Sequence, residues 1–333
     1  MKSITVAPAS ADEVAAFLIE AAGQAPSVHN TQPWWFGVRG SRLTVHADAD
    51  RRLDVADPDG REMLISCGAA LFTLRLAARH LGYAAEERLW PDPERTMLLA
   101  DVDIARQRPA TADEQRMFAQ VSRRRTHRGG FTPERPPPAL LSKLSNEARR
   151  EGASLRLVAD PRARQAMAAL SETAEQTQRL SVDYTTEVAR WAPAPGDHRN
   201  DGVQPGAYPR EPRHTAPYFA TRDFARGQGW GHHDGDSRDA TGTVALLMTP
   251  GDTPADWLNA GMALQRVLLC AAEEDVSAAF HTQALELPEL RDFIRTRFCG
   301  GAHPQMLMRL GHTGGEPADG VRRPETDIAR DEP

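Results

Sequence analysis

The apolar positions near the start of the chain recur with a helical period. Val14, Phe17, Leu18 and Ala21 fall at i, i+3, i+4 and i+7, behind Ser10 and Glu13 at capping-box spacing. This spacing predicts a first helix that ends near Gly23. The period then changes. Trp34 to Val38 and Leu43 to His46 read as the strands of a hairpin turning at Gly40-Ser41. Arg61 to Leu81 is apolar over most of a helical circumference, with Gly82 placed to close it at the C′ position. A helix of that kind is central and buried. RTMLLADVDI after it predicts a strand.

The same pattern returns when Gly261 is placed on Gly68. Ala263 then falls on Ala70, Leu264 on Leu71, Val267 on Leu74, Ala271 on Ala78 and Ala278 on Ala85. The matched small residues make two copies of one module as good a reading as a shared apolar period. Between the two helices, Pro136–Pro138 is a natural break. A helix from Ala139, a strand SLRLVAD and a helix from about Arg162 to Leu180 follow. Ala192 to Asp239 is irregular and dense in Pro, Gly, Asp, His and Arg; loops of that length are functional lids or disordered segments. Thr243–Thr249 and Gln305–Gly311 read as buried strands, and the tail from Gly314 is polar.

Composition narrows the class. The chain has 333 residues, 40% hydrophobic and 26% charged, enough to build its own core. A net charge of −6 argues against a general nucleic-acid binder. No apolar run approaches the roughly 18–20 residues that span a bilayer, and the first residues lack a secretory pattern. Cys67, Cys270 and Cys299 are odd in number and widely spaced. They fit neither a disulfide framework nor a zinc site, and read as buried thiols of a cytoplasmic protein.

Two segments carry candidate chemistry. SRRRTHRGGF places four arginines and a threonine within six residues. Planar guanidinium donors match phosphate oxygens, which suggests a cofactor phosphate clamp; a solvated basic loop is the alternative. In APSVHNTQPWWF, the side chains of Ser27, Asn30 and Gln32 suit the edge of a polar heterocycle. The alternative is a helix cap and turn leading into a strand. His29 suits either setting. RGQGWG (Arg226–Gly231) lacks the strand and spacing of a dinucleotide loop. GHHDGD (Gly231–Asp236) reads as a polar loop, so no metal site is expected. Trp34, Trp35, Trp191, Trp230 and Tyr218 are aromatic candidates for a pocket wall.

Together the two segments resemble the signature pair of the FMN-dependent nitroreductase family. That family has a basic stretch R-[RH]-[ST]-x-[KR] followed closely by Phe, here Arg124, Arg125, Thr126, Arg128 and Phe131. It also has P-S-x-x-N-x-Q-P-W, here Pro26, Ser27, Asn30, Gln32, Pro33 and Trp34. The usual order is reversed. With D-x-x-R-x-L-x-x-x-D-P-x-x-R-E from Asp48 to Glu62, the chain resembles the tandem, fused-dimer branch that includes the mycobacterial Acg-like proteins. The likeness covers about residues 12–328.

The resemblance implies an α+β fold of two nitroreductase-like modules, 1–110 and 111–333, fused as a pseudo-dimer, with a lid-like insert at about 192–239. It implies one FMN per chain. Arg124, Arg125, Thr126 and Arg128 would hold the phosphate and ribityl chain, and Pro26, Ser27, Asn30 and Gln32 would approach the flavin ring. Gln283 would pass the flavin after the second central helix, and Arg323 would reach the phosphate from the tail. NAD(P)H would supply electrons for a small organic acceptor of the nitro or quinone class. The flavin carries that chemistry, so no catalytic side chain is assigned. A monomer with no nucleic-acid or membrane partner is expected. The insert motivates a second reading, a flavin-sequestering protein with an occluded site; a flavin enzyme of specialised metabolism is a third.

Overall fold

The capping box forms as the sequence predicts. The Glu13 amide donates to Ser10 Oγ and the Ser10 amide to the Glu13 carboxylate, both at 3.2 Å. It opens α1 (Ala11–Ala22). The computed structural model describes residues 10–211, 219–233, 240–313 and 320–332. After α1 come the hairpin β1 (Trp34–Arg39) and β2 (Arg42–Ala47), with Gly40 in the left-handed region at its turn. The central helix α2 (Arg61–His80) ends with Gly82 at φ 85°, as expected of its C′ residue. Next are β3 (Tyr83–Leu89), β4 (Leu98–Gln107) and α3 (Ala112–Ala119).

The second half runs α4 (Pro138–Arg150), β5 (Ser154–Leu157), α5 (Pro161–Arg179), α6 (Val182–Arg190) and β6 (Thr243–Thr249). The second central helix α7 (Pro254–Ala272) follows, then β7 (Val276–Phe280), α8 (Gln283–Glu286), α9 (Pro288–Phe298) and β8 (His303–His312). The tail adds α10 (Glu325–Ile328) and β9 (Ala329–Asp331). The fold is α+β. One sheet has the order β3-β4-β2-β1-β9 and the other β5-β6-β8-β7. Read from the far end, β7-β8-β6-β5 repeats β3-β4-β2-β1 strand for strand, and every corresponding pair is antiparallel.

The glycines matched in the sequence meet in space. A Cβ on Gly68 would collide with the Leu258 carbonyl, and one on Gly261 with the Ile65 carbonyl. α2 and α7 therefore cross backbone to backbone, which is why both positions lack side chains. Gln265 Nε2 donates to Thr73 Oγ1 at 2.9 Å along the same seam. Burial on all sides explains the apolar circumference of both helices.

Two features were not legible in the apolar pattern. β9 pairs in parallel with β1, so the tail crosses back to the first sheet. The described part of the insert rests on its own small core, where Trp191, Val203, Tyr208 and Phe224 pack with Leu53 from the first half. Trp191 belongs to that core, Trp230 packs at its edge and Trp34 lies in the main core. Trp35 stacks on His46 at 3.6 Å. Tyr218 and Asp234–Asp236 lie outside the described residues. Among the described residues no helix is long and apolar enough to cross a membrane, and no acidic, His or Cys group is placed to hold a metal ion. Cys67, Cys270 and Cys299 are buried and unpaired, and burial raises all three thiols.

Candidate functional site

The loop after α1 holds three non-glycine residues in left-handed conformations: His29 at φ 46°, Asn30 at 54° and Gln32 at 49°. Such backbone costs free energy unless its surroundings over-determine it. Here they do. The Gln32 amide donates to Ser27 Oγ at 2.9 Å. The Val28 amide donates to Ser66 Oγ, whose hydroxyl donates to the Glu62 carbonyl, so the loop is tied to the start of α2. Gln32 Nε2 donates to the Asn200 carbonyl at 2.8 Å, and Gln32 Oε1 accepts from the Arg323 amide at 2.8 Å.

The basic segment is fixed from the other half. Thr126 bridges to Ala278 of β7, and the His127 amide donates to the Ala278 carbonyl at 2.9 Å. Phe131 bridges to Ala240, and its ring fills the space left by Gly242 and Gly311. The segment thus runs beside the second sheet and faces the loop after α1 across a cleft.

The cleft has two connected parts that share Pro26, Ser27, Thr126 and Arg128. The smaller, about 480 Å³ with its open mouth, adds Asn30, Arg125, Gly202, Gln204 and Arg322. The larger, about 850 Å³ on the same basis, adds His29, Glu62, Ser66, Arg222, Phe224 and Arg309. The insert walls both parts, through Gly202–Gln204 and Thr221–Phe224.

The electrostatics of the smaller part are one-sided. Arg124 and Arg322 both donate to the Gln24 carbonyl, at 3.3 and 3.2 Å. The Nε of each is buried without an acceptor. Arg125 donates to the Ser122 and Arg124 carbonyls, and Arg128 to the Ala207 carbonyl. Among the described residues none of these four guanidiniums meets a carboxylate. Burial, then neighbouring arginines, hold Arg128 and Arg322 down at about 10 and Arg124 well below its usual value. Buried cations left without counter-charge are costly, and an anion between them would offset that cost.

The larger part contains two neutral imidazoles. His29 has no hydrogen bond at either ring nitrogen and meets Phe224 edge-on at 5.4 Å. Burial, then Arg222 and Arg128, hold its pKa well below the usual value. His281 Nε2 accepts from Arg309 Nε at 2.7 Å, so its proton sits on Nδ1, which donates to the Ala220 carbonyl at 3.0 Å. Burial and Arg309 keep that ring neutral as well.

Six of the residues singled out in the sequence line the cleft: Pro26, Ser27, Asn30, Arg125, Thr126 and Arg128. Arg124 lies behind the wall. Gln32 spends its amide on Asn200 and Arg323. Gln283 is buried and donates to Glu175 at 3.2 Å, while its neighbours His281 and Thr282 reach the cleft. Arg323 donates to the carbonyls of Gln32, Trp34 and Asp327, and its neighbour Arg322 faces the cavity instead. Glu62, Arg222, Arg309 and Arg322 were not singled out. Glu62 ends the Asp48–Glu62 motif, which was the one signal available for it.

The similarity to known proteins follows this geometry. No protein-family model matches the chain. Rv3131 of Mycobacterium tuberculosis strain ATCC 25618 / H37Rv, provisionally named an NAD(P)H nitroreductase, is 32% identical over 290 residues, covering 86% of this chain and 82% of its own. Acg of the same strain, with the same provisional name, is 27% identical over 299 residues, covering 88% and 87%. Among solved structures, an FMN-bound nitroreductase from Desulfitobacterium hafniense DCB-2 covers 64% of this chain and 95% of its own, at 12% identity and a TM-score of 0.39. NfnB from Mycobacterium smegmatis, solved with NADPH, covers 62% and 95% at 15% identity and a TM-score of 0.36. The likeness to Rv3131 extends over most of both chains, and at that identity and extent the chain belongs to the nitroreductase family, alongside its Acg-like members.

Proposed function

We propose that the chain is an FMN-dependent oxidoreductase that takes electrons from NAD(P)H and passes them to a small organic acceptor of the nitro or quinone class. The observation that carries this reading is the cluster of four arginines that meets no carboxylate among the described residues. A phosphate monoester dianion in the smaller part would face Arg125, Arg128 and Arg322 and offset the repulsion among the guanidiniums, that of Arg124 behind the wall included. Arg125, Arg128, Arg322 and Thr126 would hold that phosphate. The connected larger part, with Ser27, His29, Phe224 and Thr282 on its wall, would hold the flavin ring. Bound FMN supplies hydride chemistry; the chain positions it and limits water.

The two halves, divided near residue 110, are read as fused modules of a pseudo-dimer with one site. The repeated strand order and the glycine crossing support the fusion. In the alignment of Gly261 on Gly68, Glu87 takes the place of cleft-lining Phe280. There Arg75 pairs with Glu87 at 3.3 Å and Glu151 at 3.1 Å, and Arg266 with Glu147 at 2.6 Å and Glu151 at 3.0 Å. That ion network sets charged pairs where the first cleft has an aromatic wall, which supports the reading of one FMN per chain in a monomer.

Anaerobic mixing of the FMN-loaded protein with NADH or NADPH is expected to bleach the flavin absorbance. The insert favours one further reading, flavin sequestration, because it walls both parts of the cleft. Bleaching by dithionite but by neither nicotinamide would contradict the oxidoreductase reading and support sequestration.

A further inference from the structure

Behind the larger part of the cleft, four carboxyl groups converge on two guanidiniums. Asp57 comes from the turn before α2, Glu62 from α2, Glu175 from α5 and Glu286 from α8. Arg61 comes from α2 and Arg222 from the insert. His29, on the remaining side, is neutral and adds no charge. Arg128 and Arg309 line the same part of the cleft. Glu286 pairs with Arg222 and accepts from Thr282 Oγ1 at 2.9 Å and Gln178 Nε2 at 2.7 Å. Asp57 accepts the Glu62 and Met63 amides at 3.0 and 2.8 Å at a helix N-terminus, which draws its carboxyl down, but burial outweighs this and pushes it up to about 6. Glu175 accepts the Asp223 amide at 3.1 Å and the Gln283 amide at 3.2 Å.

Glu62 is buried and its carboxyl has the fewest hydrogen bonds of the four. Its Oε1 accepts from Arg61 at 2.8 Å, but Arg61 also serves the Gln305 carbonyl at 2.7 Å. Among the described residues its Oε2 has no hydrogen-bond partner, and the side chain lies on the cleft wall. The Arg61 contact alone would keep Glu62 ionised; burial, then repulsion from Glu286, outweighs it and pushes the carboxyl up to about 8.

We infer that Glu62 is a proton donor of the cleft, a neutral carboxylic acid whose free oxygen faces the bound acceptor. The inference rests on the oxidoreductase reading above, in which reduced flavin is the reductant. A quinone that has accepted a hydride, two electrons and one proton, is left as an anion. The Glu62 O–H bond breaks, an O–H bond forms on the quinone oxygen, hydroquinone leaves, and water reprotonates the carboxylate. A donor that titrates near the working pH suits this role.

Infrared difference titration of the purified flavoprotein tests the proton's location without reference to turnover. The wild type is expected to show a carboxylic acid C=O band at neutral pH that disappears as pH rises through about 8. Glu62→Gln should lack that band and Glu175→Gln should keep it. No such band in the wild type, or its survival in Glu62→Gln, would overturn the assignment. The second arm mixes dithionite-reduced protein with 1,4-naphthoquinone. Glu62→Gln should slow reoxidation by roughly 100-fold or more and abolish its fall at alkaline pH; an unchanged rate and profile would overturn the donor role. Failure of the protein to bind FMN would end the oxidoreductase reading instead, and the infrared arm still decides the state of Glu62 on the flavin-free chain.

Discussion

Arg322→Met is expected to weaken FMN binding by about one to two orders of magnitude while the flavin-free protein melts at the same temperature or higher. Each charge-assisted bond to the phosphate contributes roughly 1.5–3 kcal/mol, and about 1.4 kcal/mol is tenfold in affinity. Without a phosphate, however, the Arg322 guanidinium is a buried cation facing Arg125 and Arg128. The linkage gives the sign. Arg128 and Arg322 have folded-state values near 10, below the usual range of an arginine, so the unfolded chain binds their protons more tightly. Stability of the flavin-free protein therefore rises as pH increases through about 10, and at neutral pH both groups cost stability. Methionine keeps the apolar stem and removes the charge. Isothermal titration with FMN and melting curves with and without it check both halves of the expectation. A variant that bound FMN normally would remove Arg322 from the phosphate site.

Gly261→Ala is expected to destabilise the fold by about 3 kcal/mol or more, with Gly68→Ala similar. Overpacking a core costs roughly 1–3 kcal/mol when side chains can move aside. Here the obstructing atoms are backbone carbonyls of the facing helix, which cannot rotate away, so α2 and α7 must separate. The seam also carries the Thr73–Gln265 hydrogen bond, and separation would strain it. Because each glycine opposes the other, the double variant should cost less than the sum of the single ones. Chemical denaturation of the three variants measures this, and an unperturbed midpoint for Gly261→Ala would show that the helices do not cross there.

The same two glycines show what the sequence made legible. An apolar circumference marks a helix as central, and a matched pair of small residues marks where such helices touch, because close approach forbids side chains. The hairpin and α1 were equally readable, since each advertises its buried face by period. Polar loops advertise nothing of the kind. The motif assigns Gln32 to the flavin edge, and nothing in the sequence signals that its amide also donates to Asn200, far along the chain in the insert. Arg323 and Arg322 are adjacent and chemically identical, and only the course of the tail decides which one faces the cavity. β9 has three residues and no apolar pattern, so its place beside β1 comes from tertiary contacts alone. The carboxyl cluster around Glu62 draws on four elements distant in sequence, and the one trace it left was the last residue of a motif.

The central claim is a single composite FMN site per chain. The most direct test is the visible spectrum of the purified protein, with flavin released by heat and counted per chain. About one FMN for each chain is expected. Two per chain would contradict the single composite site, and none, even after reconstitution with FMN, would contradict the phosphate clamp and the oxidoreductase reading built on it.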